Sequence, residues 1–351
     1  MEIYHYTKLD VLYSMFKNAK YGKGKEGELN DAIFSPPKEF VTFWANSAYY
    51  MNDPTELRSS FDLILSKLPE IEDELKIEDN KKISKWIQEQ DTSLDNWINN
   101  VIFTPESYAP FIISFSTKPD FLPMWSMYGQ NGIGVSLCFD TDDFECSNFL
   151  VKGVEFVNYE MNETCFHKIV TIYKKYIEKL KSPISSKKEQ DINNIMLFIK
   201  QFGEENSDKI KDRLDAFFNE NLKDDDLVSE KHMKESIEQL TRTSLIEMIL
   251  ELAAIVKNNS YDYEGEYRCV ISLSPHPAIA MKTPKFFEYR MSNNNIIPYI
   301  KVDVPIKCLK SIVIGPCSNY DMVKMSLKLM MKTYDIPDID IIKSNVPYRN
   351  M

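Results

Sequence analysis

Polar and apolar residues alternate over positions 2–7, Glu-Ile-Tyr-His-Tyr-Thr, and a period of two predicts a β-strand. The period then changes. Leu9, Leu12, Met15 and Phe16 fall three and four apart, which predicts a short amphipathic helix over 9–17. Residues 21–30 hold Gly22, Gly24 and Gly27 among charges and read as a loop. A second strand is expected at 40–45, and a charged, mostly helical stretch from 56 to 100 that Pro54 can open. Strands follow at 111–116 and 132–140, separated by a short helical or turn element over 123–129. From 164 to 258 the pattern is helical, with Ile169, Ile172, Tyr173 and Tyr176, and then Leu245, Met248, Ile249 and Leu252, at helix spacing. Strands resume at 265–273, 297–304, 308–315 and 339–343. A helix over 320–334 carries Met322, Met325, Leu329 and Met330 on one face, read as core filler. These elements predict an α+β fold in which a sheet-forming core, 1–163 and 259–351, is interrupted by a helical insertion, 164–258.

Composition changes this picture little. With 351 residues, 43% of them hydrophobic, the chain can bury a sizeable core, and a net charge of −11 disfavours broad, salt-driven binding to nucleic acid. The six cysteines include no C-x-x-C pair and the histidines number only four, so no zinc pattern emerges; isolated thiols fit a reducing cytoplasm. Neither a charged-then-apolar leader nor a run of about 18 apolar residues is present, so no signal peptide and no membrane span are expected.

The chemistry-bearing positions are few. His5 lies in a strand among Tyr4 and Tyr6, and Glu266 lies in a second aromatic strand segment some 250 residues later, Tyr-Asp-Tyr-Glu-Gly-Glu-Tyr-Arg at 261–268. Aromatic strands can hold an ionisable group in a dry, fixed place. Arg268 follows Glu266 by two and shares its face, so it can hold that carboxylate or clamp a phosphate bidentately. By the same alternation Glu264 shares that face, and the choice between Glu264 and Glu266 stays open. Each feature also has a structural reading: a satisfied strand histidine, a cross-strand ion pair, a helix cap at Asn52-Asp53-Pro54, core aromatics at Trp125 and Tyr128.

The ordered set Tyr4-His5-Tyr6-Thr7, Tyr50-Met51-Asn52-Asp53-Pro54-Thr55-Glu56, Phe115-Ser116, Met124-Trp125-Ser126-Met127-Tyr128-Gly129, Tyr263-Glu264-Gly265-Glu266-Tyr267-Arg268 and Ile312-Val313-Ile314-Gly315-Pro316 resembles the DUF2971 family. The motif order in turn looks like the ADP-ribosyltransferase superfamily, in its His-Tyr-Glu branch. That resemblance implies a mixed or split β-sheet core with flanking helices, NAD as substrate, and no metal. It also implies His5, Tyr50 and Glu266 as catalytic residues, and Tyr6, Thr7, Asn52, Trp125, Tyr128 and Arg268 around the dinucleotide. Cleavage of the nicotinamide–ribose bond passes through an oxocarbenium-like state, as in glycoside cleavage. A carboxylate beside the ribose, a donor or acceptor for its hydroxyls, and an aromatic face for nicotinamide are the groups such chemistry needs. The acceptor would be a protein, a nucleic acid, a small molecule or water, and the bacterial relatives implied are toxin-like or phage-defence proteins. The contrasting expectation is a catalytically silent nucleotide- or protein-binding module, with the 164–258 helices as the platform for a partner protein.

Overall fold

The computed structural model describes residues 1–21, 37–51, 56–79, 82–89, 110–146, 151–152, 154–159, 162–181, 249–271, 287–292 and 295–348. Asn52, His232, His276, the glycine loop at 22–27 and most of the expected helical insertion lie outside them.

The fold is α+β. Ten strands form one mixed sheet: β1 (Glu2–Thr7), β2 (Phe40–Ser47), β3 (Phe111–Ser116), β4 (Val135–Asp140), β5 (Glu155–Phe156), β6 (Glu266–Ile271), β7 (Phe287–Ser292), β8 (Asn295–Pro305), β9 (Leu309–Ile314) and β10 (Asp340–Lys343). The order is β7-β8-β2-β3-β1-β4-β9-β10, with β6 on the other edge of β3 and β5 beyond it. Every pairing in it is antiparallel except β9 with β10. The described helices are α1 (Leu9–Lys17), α2 (Glu56–Glu74), α3 (Ile83–Glu89), α4 (Leu122–Met127), α5 (Glu163–Lys181) and α6 (Tyr320–Thr333), with a further helical stretch at 249–253.

The sheet divides at β3. One edge of β3 pairs along its whole length with β6, from Ile271↔Phe111 to Glu266↔Ser116. Its other edge is shared: β2 pairs at the start, through Asn46↔Ile112 and Ser47↔Phe111, and β1 pairs at the end, through Tyr4↔Ser116. Among the described residues no strand occupies the edge at Ile113–Phe115, so β1 and β2 splay apart there.

Alternation sorts the strand residues onto two faces. One face carries Ile3, Phe43, Phe115, Leu137, Phe139, Val302 and Ile312, covered by Leu12, Met15 and Phe16 of α1 and by Leu327 and Met331 of α6. The opposite face has two separate covers. Met124 and Trp125 of α4 pack on Tyr4, Tyr6, Cys138 and Val313, while α2, α3 and α5 pack around Ile112 and Val270. Between these patches the same face carries Ser114, Ser116, Glu266 and Arg268.

The α6 expectation needs correction. Met322, Met325 and Leu329 are 63–70% exposed, and the buried stripe is Leu327 and Met331, with Val323 and Met330 packed beside it. The helix is apolar on two faces, and only the sheet beneath selects one of them. Strand β7 was not expected at all, although Phe-Glu-Tyr-Arg-Met-Ser alternates with a period of two. Among the described residues no helix is long and apolar enough to cross a membrane.

Candidate functional site

A cavity of about 570 Å³ opens where the sheet splits, between the two helical covers. It has the size of a typical cofactor pocket. Its floor is the diverging strands: Tyr4, His5 and Tyr6 of β1, Trp44 and Asn46 of β2, and Ile112 to Phe115 of β3. Tyr49–Met51, Met124 and Tyr128, Lys257 with Glu264 and Glu266, and the β7–β8 hairpin form the walls.

The register explains how His5 and Glu266 come together. Tyr4 and Glu266 both stand opposite Ser116, so their backbones lie two strand spacings apart, about 10 Å. Being directly opposite one residue, they share a face, and His5 alternates to the other. The imidazole fills the gap between β1 and β2, edge-on to Phe43 at 5.2 Å and tilted against Phe115 at 5.7 Å. Glu266 reaches the cavity from the face and His5 through the opening in the sheet, so the two side chains share the cavity without touching.

His5 has a defined state. Its Nδ1 lies 2.8 Å from the Ser114 carbonyl oxygen. A carbonyl only accepts, so Nδ1 carries the hydrogen and donates, leaving the lone pair on Nε2. Burial pushes its pKa below the ordinary 6.5, with the bond to Ser114 opposing in part. A depressed folded value means that the unfolded chain binds the proton first as pH falls. His5 therefore costs stability progressively below pH 6.5, until its own folded pKa is passed. The expected result is a His5 ring titration, followed by NMR, with its midpoint below 6.5; a midpoint at or above that value contradicts this environment.

The opposite wall is an ion-pair network. Arg268 donates from Nε to Glu266 Oε1 at 2.8 Å and from Nη2 to Oε2 at 3.0 Å, while its Nη1 donates to the Ala254 carbonyl at 2.6 Å. Lys257 Nζ bridges Glu266 Oε2 at 2.9 Å and Glu264 Oε2 at 2.7 Å, and it sits 4.6 Å above the ring of Tyr261. Tyr128 donates its hydroxyl to Glu264 Oε1 at 2.9 Å. Both carboxylates are nearly sealed, Glu264 at 2% and Glu266 at 4% exposure. Burial alone would raise the Glu266 pKa; the Arg268 guanidinium and then the Lys257 ammonium outweigh it, holding Glu266 ionised and below its usual range.

Glu264 arrives by a different route from the one its spacing implies. Residues Asn259–Glu264 form a 3₁₀ turn rather than strand, capped by Gly265 at φ +52°. A Cβ there would stand 2.3 Å from Thr117 Oγ1, so both conformation and space favour glycine. That turn, not strand alternation, sets Glu264 beside Glu266.

Of the expected site residues, His5, Tyr6, Tyr50, Tyr128 and Glu266 line the cavity. Tyr50 stands on the 3₁₀ turn Ala48–Tyr50 just after β2 and is 45% exposed, free to cover a ligand. Tyr6 contributes a wall, but its hydroxyl is taken up, donating to the Lys118 carbonyl and accepting from Phe121 N–H. Three positions are elsewhere. Trp125 is fully buried, edge-on to Tyr6, with its indole N–H donated to Asp120. Thr7 is buried beside Val135. Arg268 stands behind Glu266 with its donors engaged by protein, so it holds the carboxylate rather than a phosphate. The residues missed from sequence are Lys257, Trp44, Asn46, Tyr49 and Arg290. Lys257 had a signal, a single cation closing the apolar run Leu252–Val256. Arg290 was lost with β7.

Residues 124–269 match the protein family described as Protein of unknown function (DUF2971). That match covers less than half of the chain, and it is a similarity to the family over this segment. Comparisons with curated proteins and with solved structures return no match. The matched region holds the whole Tyr128–Glu264–Lys257–Glu266–Arg268 network. His5, Trp44, Tyr50 and Arg290, which complete the cavity, come from outside it.

Proposed function

We propose that the cavity binds NAD and cleaves its nicotinamide–ribose bond, passing ADP-ribose to a macromolecular acceptor or to water. The observation that carries this reading is the shared cavity: a neutral His5 with a free Nε2 lone pair and an ionised Glu266, from the two ends of the chain, line one dinucleotide-sized hollow. In the step proposed, the bond from ribose C1′ to the pyridinium nitrogen breaks and its electrons leave with neutral nicotinamide. Positive charge then spreads over C1′ and the ring oxygen, and the acceptor's lone pair forms the new bond to C1′ as its proton passes to solvent water. Glu266 lowers the energy of that charge because its negative charge is prearranged in a site shielded from water. His5 Nε2 accepts from a ribose hydroxyl, and the rings of Tyr50 and Tyr128 hold the nicotinamide.

The motif resemblance adds a setting, a defence or toxin effector in the cytoplasm, where reduced thiols such as the six here persist. The segment 164–258, read from its sequence as helical, is the surface proposed for a partner protein.

One observation favours a second reading, a module that binds a nucleotide without cleaving it: both oxygens of Glu266 are already held by Arg268 and Lys257. Measuring nicotinamide release from NAD, together with binding of a non-cleavable NAD analogue, separates the two. Release supports cleavage, and binding without release supports the module. A protein that does neither at millimolar ligand defeats both readings.

A further inference from the structure

Among the described residues the charges around the cavity do not balance. Glu264 and Glu266 are matched by Lys257 and Arg268. Of the remaining described lining residues, only Arg290 carries a formal charge, and no carboxylate of the described residues pairs with it. It stands on β7, directly opposite Ile297, and directs Nε and Nη2 at the Asn46 side-chain oxygen, at 3.3 and 3.1 Å. Its Nη1 donates to no described residue. Asn46 in turn presents its amide N–H groups, since its oxygen is occupied by Arg290. Two positions along β2, on the same face, Trp44 keeps its indole N–H buried with no acceptor among the described residues. An unpartnered buried donor of this kind costs free energy until something accepts from it. Asn295 completes the same wall.

Among the described residues, a chain of net charge −11 therefore keeps a guanidinium with no carboxylate partner, an amide and a buried indole N–H without an acceptor on one wall of a cavity that is also lined by a neutral ion-pair network. Donors without acceptors, grouped around a planar cation, match the oxygens of a phosphate group. We propose that Arg290, Asn46 and Trp44 form a phosphate subsite, so that the cavity takes a nucleoside di- or polyphosphate, or a dinucleotide, in preference to a nucleoside. This deepens the NAD reading, on which it rests for the position of the rest of the ligand.

The test is equilibrium binding of ADP-ribose, with adenosine as the phosphate-free probe, to the whole protein. Arg290→Gln is expected to weaken ADP-ribose by about 10–100-fold, the range for losing hydrogen bonds to a charged group, and to leave adenosine within about twofold. Trp44→Phe removes only the N–H from an otherwise similar ring and is expected to weaken ADP-ribose by about 3–10-fold. Thermal melts establish that each variant is folded, and Trp44→Phe decides the matter if Arg290→Gln is not. Wild-type affinity for ADP-ribose in the folded variants, an equal loss for adenosine, or no ADP-ribose binding by the native protein overturns the subsite. Its failure is distinguishable from that of the cleavage reading. NAD cleaved by Arg290→Gln with an unchanged KM removes the subsite and leaves cleavage standing. ADP-ribose bound in an Arg290-dependent way without nicotinamide release supports the subsite and removes cleavage.

Discussion

Nicotinamide release from NAD is expected to fall about 10²–10³-fold in Glu266→Gln, the loss typical when one prearranged electrostatic group is removed from a developing charge. The substitution keeps the side chain's shape and its capacity to accept from Arg268, but removes the negative charge that the proposed reaction needs beside the ribose. The effect should appear in kcat more than in KM, because the charge it meets exists only in the transition state. Glu264→Gln is the comparison. Glu264 lines the same wall, but its oxygens answer Tyr128 and Lys257, so its role is to fix Lys257, and a loss of less than about tenfold is expected. A larger loss in Glu264→Gln than in Glu266→Gln exchanges the two roles. Activity unchanged in both ends the case for a carboxylate-assisted cleavage. Assays belong well below the melting temperature, since either change leaves buried cations with one fewer anion.

Arg268→Met is expected to destabilise the fold by about 3–5 kcal/mol, the cost of stranding one partner of a buried ion pair. Arg268 is 2% exposed and its guanidinium contacts both oxygens of Glu266 and the Ala254 carbonyl, so methionine fills the space but satisfies none of them. For a chain of this size, with an unfolding entropy of about 0.7 kcal/mol/K, that corresponds to a fall in melting temperature of about 4–7 °C. The pH dependence follows from the same geometry. In the native protein Glu266 titrates below the ordinary 4.5, so its pairing contributes stability fully above that value and loses it as pH falls through the lower folded value. Arg268→Met removes the larger of the two attractions, so the variant should lose less further stability on acidification than the native chain. The double variant Glu266→Met/Arg268→Met should recover much of the loss, because no unpaired charge remains between those positions. A single variant that melts within 2 °C of the native protein would show that the pair is not buried as described.

Much of the strand and helix pattern was legible from periodicity alone. The first strand, its following helix, β3 and α6 occur where spacing put them, because each has one face set by local alternation. The readings that failed or stayed open share a physical cause. α6 is apolar on two faces, and which one is buried depends on what packs beneath it. Trp125 looked like a ligand-stacking ring; it is a core anchor because Asp120, five residues earlier, accepts its N–H. Arg268 was read as a phosphate clamp or a carboxylate holder, and strand alternation cannot choose between them. The choice was made by Ala254 and Lys257, which a separate turn of chain delivers to the same place.

The sequence by itself determined that this is an α+β chain, that His5 and Glu266 sit in aromatic strands, and that a DUF2971-type motif order runs between them. Tertiary structure alone decided that β1 and β2 share one edge of β3 and then diverge. That split turns two distant strands into the floor of a single cavity, lets the imidazole enter from one face and the carboxylate from the other, and brings Arg290 to the far wall. Strand pairing is a long-range choice: each ladder satisfies the same backbone groups whichever strand supplies them, so the partner is selected by the packing of whole faces and leaves no mark on any single segment.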